Sequence, residues 1–190
     1  MTEELIPLIN HFISATKCTD CFGKQPLALK PNTRVVSGGQ PRRVGSNYFR
    51  TRTKICFVLL NPSGAETLKG TAWEENMKQL SSAEFGSVQA WESFQEFLLN
   101  SEVNWARGKW PRLYYEATGL QAVDVAFVNA MLCADDADLH PPQAIENCLL
   151  RQQKSLRAIQ LLEPSMVVLS GTPTINSFLK DEKRTTLSDL

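Results

Sequence analysis

Short apolar runs recur along this 190-residue chain, and polar or turn-forming residues follow each of them. Lys54–Leu60 is a largely apolar run that ends at an Asn-Pro-Ser-Gly turn, and Val123–Val128 and Met166–Leu169 repeat the pattern. Each run predicts a strand, and Thr33–Val36 predicts a shorter one that ends at Ser-Gly-Gly. Because apolar residues fill these runs instead of alternating with polar ones, we expect strands buried on both faces.

Apolar residues recur at helical spacing in the stretches between these runs. Residues 3–15 predict a helix that leads into Cys18. Further helices are predicted over residues 74–80, 88–99, 110–118 and 142–162. Buried strands that alternate with helices are typical of a parallel sheet covered on both sides. We therefore predict one α/β domain over residues 1–190, a three-layer α/β/α sandwich around a central, mostly parallel sheet.

The ends of the predicted strands are the places to look for a site. In open parallel sheets, ligands bind beyond the carboxyl ends of the strands. The informative residues should therefore come directly after Leu60, Val128 and Leu169, and a polar residue follows each of these three.

The charge balance limits what the protein can bind through its overall charge. Twenty Lys and Arg balance twenty Asp and Glu, so no bulk polycation exists to hold nucleic acid or an anionic membrane. A local basic stretch does exist, and its candidates for phosphate contact are Arg42, Arg43, Arg50 and Arg52. The same stretch also fits a solvated surface loop.

The chain carries no sign of export or membrane insertion. Its first residues include two acids and lack the basic and apolar segments of a signal peptide. The longest purely apolar runs have the length of a strand and are too short to cross a bilayer. We expect a cytoplasmic protein with no membrane partner.

Five cysteines in a reducing compartment argue for metal ligation rather than for disulfide bonds. Cys18 and Cys21 form a C-x2-C pair, and Cys133 and Cys148 form a second, distant pair. Four thiolates fit either tetrahedral zinc or a [4Fe–4S] cluster. Cys133 and Cys148 also fit the role of small buried apolar residues. Cys56 lies inside an apolar run, which predicts a core residue.

Taken in order, these motifs resemble the uracil-DNA glycosylase superfamily, and within it the iron–sulfur, family 4-like branch. The segments that carry the resemblance are Cys18–Cys21, Asn61–Gly64, Val128–Cys133, Pro141–Cys148 and Leu162–Gly171. The resemblance implies a uracil-DNA glycosylase-like fold. It also implies that Cys18, Cys21, Cys133 and Cys148 hold a structural [4Fe–4S] cluster.

The resemblance also assigns roles to residues of the presumed substrate site. Asn61 matches the position that holds the hydrolytic water, in a substrate-binding loop made of Leu60, Asn61, Pro62, Ser63 and Gly64. Trp73 matches the aromatic residue that stacks on an extruded base. Asn129 matches the amide that reads the Watson–Crick edge of uracil, because a carboxamide offers both a donor and an acceptor.

Each of these positions has a simpler interpretation that the residues alone leave open. The loop after Leu60 is also a good generic turn, and Trp73 could be an ordinary core or surface residue. Asn129 could cap a local turn.

The resemblance predicts a hydrolase of base-excision DNA repair that cleaves the N-glycosidic bond of uracil or another modified base, with DNA as its partner. The family's His-Pro-Ser motif has no counterpart here, since the histidines are His11 and His140. We therefore expect the C-terminal strand and histidine loop to be absent. The alternatives are a catalytically inactive relative that binds nucleic acid or a protein, and a zinc-stabilised domain unrelated to DNA.

Overall fold

The computed structural model describes residues 2–18, 39–60, 72–102, 114, 119–133 and 142–179. The sheet in these ranges has three strands, β1 (Ile55–Leu59), β2 (Val125–Asn129) and β3 (Met166–Leu169). β1 is central and pairs in parallel with both neighbours, so Ile55 lies opposite Val125 on one side and Met166 on the other. An α/β protein with a parallel sheet and three of the predicted strands are thereby confirmed. The fourth prediction, Thr33–Val36, lies outside the described residues.

Six helices are described, and none of them is both long and apolar enough to cross a bilayer. They are α1 (Thr2–Thr16), α2 (Ala72–Ser82), α3 (Val88–Glu102), α4 (Pro142–Glu146), α5 (Lys154–Leu162) and α6 (Thr172–Leu179). The first three match the helices predicted over 3–15, 74–80 and 88–99. Within the prediction over 110–118, only Tyr114 is described, and it is helical.

The prediction of one continuous helix over residues 142–162 is wrong. A π-helical turn over Asn147–Arg151 follows α4, and Gln153 then takes a left-handed backbone conformation with φ of 52° before α5 begins. Cys148, Leu149 and Leu156 remain buried on either side of the break, so the apolar spacing continues through it and conceals it. The interruption lets the first turn of α5 approach the end of β2.

The expected burial on both faces holds for β1 and β2 but is wrong for β3, an edge strand of the described sheet, in which Met166 is exposed and the other residues are partly buried. The two faces of the sheet lie in different surroundings. Successive residues of a strand point to opposite faces. One face presents Cys56 and Val58 of β1 to the large core cluster that includes α1, α3 and α5. The other face, here called the aromatic face, carries Phe57, Phe127 and the ring of Tyr114.

A segment before β1 covers the outer edge of β2. Residues 40–47 run antiparallel to β2, where the Gly45 N–H donates to the Val125 carbonyl at 2.9 Å and the Phe127 N–H donates to the Arg43 carbonyl at 2.8 Å. A side chain at Gly45 would collide with the carbonyl group of Val123, so glycine permits this close approach.

Candidate functional site

Because the three strands are parallel, their carboxyl ends lie along one margin of the sheet, here called the carboxyl edge. Hydrogen bonding continues past the strands there: the Ala130 N–H donates to the Leu59 carbonyl at 2.7 Å, and the Ser170 N–H donates to the Val58 carbonyl at 2.9 Å. The structure thus brings Leu60, Asn129 and Ser170 to the margin where a ligand was expected.

Asn129 is the last residue of β2, and its side chain is fully buried. Neither the amide nitrogen nor the amide oxygen of that side chain has a hydrogen-bond partner within the described structure. An unpaired buried polar group costs about 1–3 kcal/mol, so a carboxamide with both atoms unpaired is expensive to keep. A ligand that supplies one acceptor and one donor would remove that cost.

An aromatic cluster lies on the face of the sheet to which Asn129 belongs by strand alternation. The Phe57 and Phe127 rings are stacked with centroids 5.2 Å apart, and the Tyr114 ring meets Phe57 edge-on at 4.7 Å. The Tyr114 hydroxyl is 2.6 Å from Oγ of Ser170, which directly follows β3. This pair fastens the aromatic cluster to the carboxyl edge.

The sequence pointed to Ser170 as the residue after the third strand, but it assigned no role in the site to Ser170 or to Tyr114. Ser170 was visible as the polar residue after the third strand, which is the available signal. Tyr114 carried none, because one aromatic residue in a predicted helix resembles any core residue.

The predicted substrate-binding loop falls largely outside the described residues. Leu60 is partly buried and packs against the main core cluster, and its carbonyl accepts the Met131 N–H at 2.9 Å. The other predicted members, Asn61, Pro62, Ser63 and Gly64, lie outside the described ranges. Trp73 is the second residue of α2.

Backbone hydrogen bonds link the segments that carry two of the predicted cysteine ligands, Cys18 and Cys133. At the end of α1, the carbonyl oxygen of Ala15 accepts both the Cys18 N–H at 3.0 Å and the Gly39 N–H at 2.8 Å. The next residue, Gln40, donates its N–H to the carbonyl of Leu132 at 2.8 Å, one residue before Cys133. The end of α1 is thereby tied to the segment that follows β2.

Cys148 joins this segment from the opposite side. Its sulfur accepts the Leu132 N–H at 3.4 Å and lies 3.4 Å from Oγ of Ser155, which donates to the Ala130 carbonyl at 2.8 Å. Cys133 and Cys148 are both buried, whereas Cys18 is partly exposed.

The fit of a metal centre can be tested on these residues. A backbone N–H that donates to a cysteine sulfur is the type of contact that stabilises a metal-bound thiolate. In the described ranges, no three His, Cys, Asp or Glu side chains are grouped closely enough to hold a metal ion. The fourth predicted ligand, Cys21, lies outside those ranges. The donor chemistry fits a metal centre, and the described sulfurs alone do not complete one.

Cys56 differs from these three cysteines. It is the second residue of β1 and is fully buried, as predicted for a core residue. Burial raises the pKa of its thiol to about 12, so it stays protonated and unreactive near neutral pH.

The four arginines proposed for phosphate contact divide into two pairs. Arg42 and Arg43 are buried, and the Arg43 guanidinium donates to the Ala122 carbonyl and lies over the Phe127 ring at 5.2 Å. Arg50 and Arg52 are exposed, but they precede β1 and therefore lie at the amino ends of the strands, opposite Asn129. The structure does not bring the exposed pair, Arg50 and Arg52, to the carboxyl edge.

Of the two histidines, His11 lies in α1 and His140 lies outside the described residues. The Nε2–H of His11 donates to the carbonyl of Lys154 at 2.7 Å. Burial and, to a smaller extent, the positive charges of Lys154 and Arg157 hold the pKa of His11 below its usual value.

Comparisons with protein-family models, with curated proteins and with solved structures found no match for this chain. A functional proposal therefore rests on the residues themselves. The features that bear on it are the buried amide without a partner in the described structure, the polar carboxyl edge of the parallel sheet and the hydrogen-bonded segments that carry Cys18, Cys133 and Cys148.

Proposed function

We propose that the protein is a glycosylase-like enzyme that hydrolyses the N-glycosidic bond of uracil, or of another modified base, in DNA. The observation that carries the proposal is Asn129, a fully buried carboxamide with both polar atoms unpaired at the carboxyl edge of the sheet. The order of the sequence motifs supports the same reading and a uracil-DNA glycosylase-like, three-layer fold.

The chemistry of Asn129 suits the edge of a pyrimidine imide. A carboxamide donates through Nδ2 and accepts through Oδ1, and the Watson–Crick edge of uracil offers a carbonyl oxygen and an N–H in return. Such an edge is accessible only when the base has left the duplex stack. Burial of Asn129 would then favour a base that satisfies both atoms over one that leaves either unpaired.

Hydrolysis requires a water molecule and a way to hold the leaving base. The C1′–N bond breaks with its electron pair going to the base, the water oxygen bonds to C1′, and the proton that water loses passes to solvent or to the base. In the proposed site, Asn61 in the substrate-binding loop of residues 60–64 positions the water. Trp73 stacks on the base, and Asn129 binds the base edge.

The cysteines would hold a structural metal centre beside this site. We propose that Cys18, Cys21, Cys133 and Cys148 bind a [4Fe–4S] cluster, with zinc as the alternative. When bound, the centre would join the end of α1 to the segment after β2, where hydrogen bonds already connect the two. Because thiolate ligands persist best under reducing conditions, we place the protein in the cytoplasm.

An oligonucleotide that contains one uracil tests the proposed activity. Strand cleavage after alkali should depend on the wild-type protein, and Asn129→Ala should lower the rate about 100-fold by removing the base-binding amide. Tyr48→Phe is the matched control, because it removes another buried, unpaired polar group that lies before β1, and it should keep full activity.

Two outcomes separate the candidate functions. Binding of uracil DNA without cleavage would favour the inactive relative that uses the same amide only for recognition. Neither binding nor cleavage, with a folded wild-type protein, would contradict both.

Metal content tests the cysteine assignment separately. Anaerobically purified wild type should contain iron and sulfide and absorb visible light, whereas Cys148→Ala should lose both properties. Cys56→Ala should retain them, because Cys56 is buried within β1. A colourless protein that contains zinc would replace the cluster by the alternative metal, and a metal-free wild type would contradict the assignment.

A further inference from the structure

A polar cavity lies between α1 and the start of α5. Its volume is about 320 Å³, within the range of small-ligand sites. Its walls include His11, Ser14, Gln152, Gln153, Lys154 and Arg157. None of these residues belongs to the proposed base-binding or metal-binding sets.

All the fully charged residues of this wall are cations. Lys154 and Arg157 contribute an ammonium and a guanidinium group, and among the described residues no Asp or Glu lines the cavity. Both positive charges are felt by His11, whose pKa they lower. Ser14, Gln152 and Gln153 add neutral side chains that can donate hydrogen bonds. This combination of charge and donors suits a compact anion with several oxygen atoms.

The helix that lines one wall of the cavity also contacts the carboxyl edge of the sheet. Ser155, the neighbour of Lys154, donates its hydroxyl proton to the carbonyl of Ala130, which directly follows Asn129. The start of α5 is therefore fastened to the carboxyl edge, where Arg50 and Arg52 are not found.

We propose that this cavity binds a phosphate group through Lys154, Arg157 and the neighbouring hydrogen-bond donors. The binding of phosphate stands on the cavity alone. That the phosphate belongs to a nucleic-acid backbone rests on the proposed function, in which DNA must contact the carboxyl edge. The cavity would then supply the backbone contact that the buried Arg42 and Arg43 cannot.

The imidazole of His11 lines the cavity and can report the binding of an anion. Imidazole proton signals should be followed by NMR against pH, with His140→Asn used to assign His11. Inorganic phosphate is the first probe, and a short unmodified oligodeoxynucleotide is the second. A bound phosphate beside the ring should raise the pKa of His11 by about one pH unit, since a nearby negative charge favours the imidazolium form.

Variants that remove one positive charge test whether phosphate binds in this cavity. Arg157→Gln should weaken phosphate binding about tenfold, as expected for the loss of one charge-assisted hydrogen bond. Arg151→Gln is the matched control, since Arg151 is also exposed but pairs with Glu146 at 3.1 Å and does not line the cavity. It should bind phosphate as the wild type does.

The outcomes distinguish this proposal from the proposed function. A response to phosphate and to the oligonucleotide supports a backbone contact, and a response to phosphate alone supports a site for a free phosphate group. Either result can occur in a protein that cleaves no uracil DNA. No change at His11 with either probe, or equal binding by wild type and Arg157→Gln, would overturn the proposal.

Discussion

The two ends of the parallel sheet differ in how their polar groups are satisfied. At the amino ends, the backbone carbonyl of Lys54 accepts two backbone N–H groups. The side-chain ammonium of Lys54 lies 3.8 Å from the Glu163 carboxylate and 5.4 Å from the centre of the Phe49 ring. At the carboxyl edge, the buried side chain of Asn129 has two polar atoms without a partner in the part of the chain that the structure describes. The Lys54 groups at the amino ends have partners within the fold, whereas the Asn129 amide has none in the described structure. It lies at the end where open parallel sheets bind ligands.

Unpaired polar atoms alone do not mark a site, and Tyr48 shows why. Its hydroxyl is also buried and has no partner among the described residues, and burial raises its pKa well above the usual value. Tyr48 lies before β1 and offers a single hydroxyl in a large aromatic residue. Asn129 combines a donor and an acceptor with a position beyond a strand end, and it is the combination that indicates recognition of a ligand.

The largest expected effects come from two glycines, one toward each end of the sheet. A side chain at Gly45 would collide with the Val123 carbonyl, and one at Gly39 would come within 2.8 Å of the Ala15 oxygen. Either glycine-to-alanine change should lower the free energy of unfolding by about 3 kcal/mol, measured by urea denaturation.

Metal content then distinguishes the two glycine variants. Gly39→Ala disturbs the connection between α1 and the segment after β2, so it should also reduce bound metal. Gly45→Ala should leave metal content per folded molecule unchanged. Equal metal loss in both variants would mean that the cysteines depend on the whole fold rather than on this connection.

Replacing Asn129 by an apolar side chain of similar size should stabilise the protein. Asn129→Leu removes two unpaired polar atoms and should raise the free energy of unfolding by about 2 kcal/mol, while Tyr48→Phe should raise it by about 1 kcal/mol. Only Asn129→Leu should lose recognition of uracil DNA. A loss of stability in Asn129→Leu would show that the carboxamide is engaged within the fold.

Acid should weaken the fold through His11. Its pKa is lowered in the folded protein, mainly by burial, so between that value and the usual 6.5 the unfolded chain binds a proton that the folded chain lacks. Stability should therefore be fully present above pH 7 and fall as the pH drops below about 6.5.

The His11 contribution can be isolated by substitution. Urea midpoints at a series of pH values should show the decline in wild type and a flatter profile in His11→Gln. The buffer should contain no phosphate, because a bound anion would raise the pKa of His11 and hide the effect. An unchanged profile in His11→Gln would assign the acid sensitivity to other groups.

The strands were predictable because runs of consecutive apolar residues mark them. Met166–Leu169 is apolar throughout, and the structure gives the same bounds, although Met166 is exposed and the other three residues are only partly buried. The break at Gln153 was not predictable, since glutamine is not a usual residue for a left-handed conformation and the buried residues continue across it. The local pattern of apolar residues therefore predicted where the elements lie, but it did not predict the left-handed residue that interrupts the helix.

The position of Asn129 could be predicted from the sequence, but the hydrogen bonding of its amide could not. Asn129 was expected at the end of its strand, whereas its lack of partners depends on side chains distant in sequence. The same holds for Arg42 and Arg43, which were expected to contact phosphate and lie buried in the segment beside β2. Such outcomes are decided by long-range packing, which the spacing of residue types does not record.

The smallest effect should come from the ion pair at the amino ends. Lys54→Met removes the contact with Glu163, whose side chain is 78% exposed, so solvent already screens most of the attraction. The free energy of unfolding should fall by about 0.5 kcal/mol or less, and added salt should reduce the difference further. Uracil cleavage and metal content should not change. A loss of either in Lys54→Met would show that the two ends of the sheet are coupled, and the contrast between a structural amino end and a functional carboxyl edge would fail.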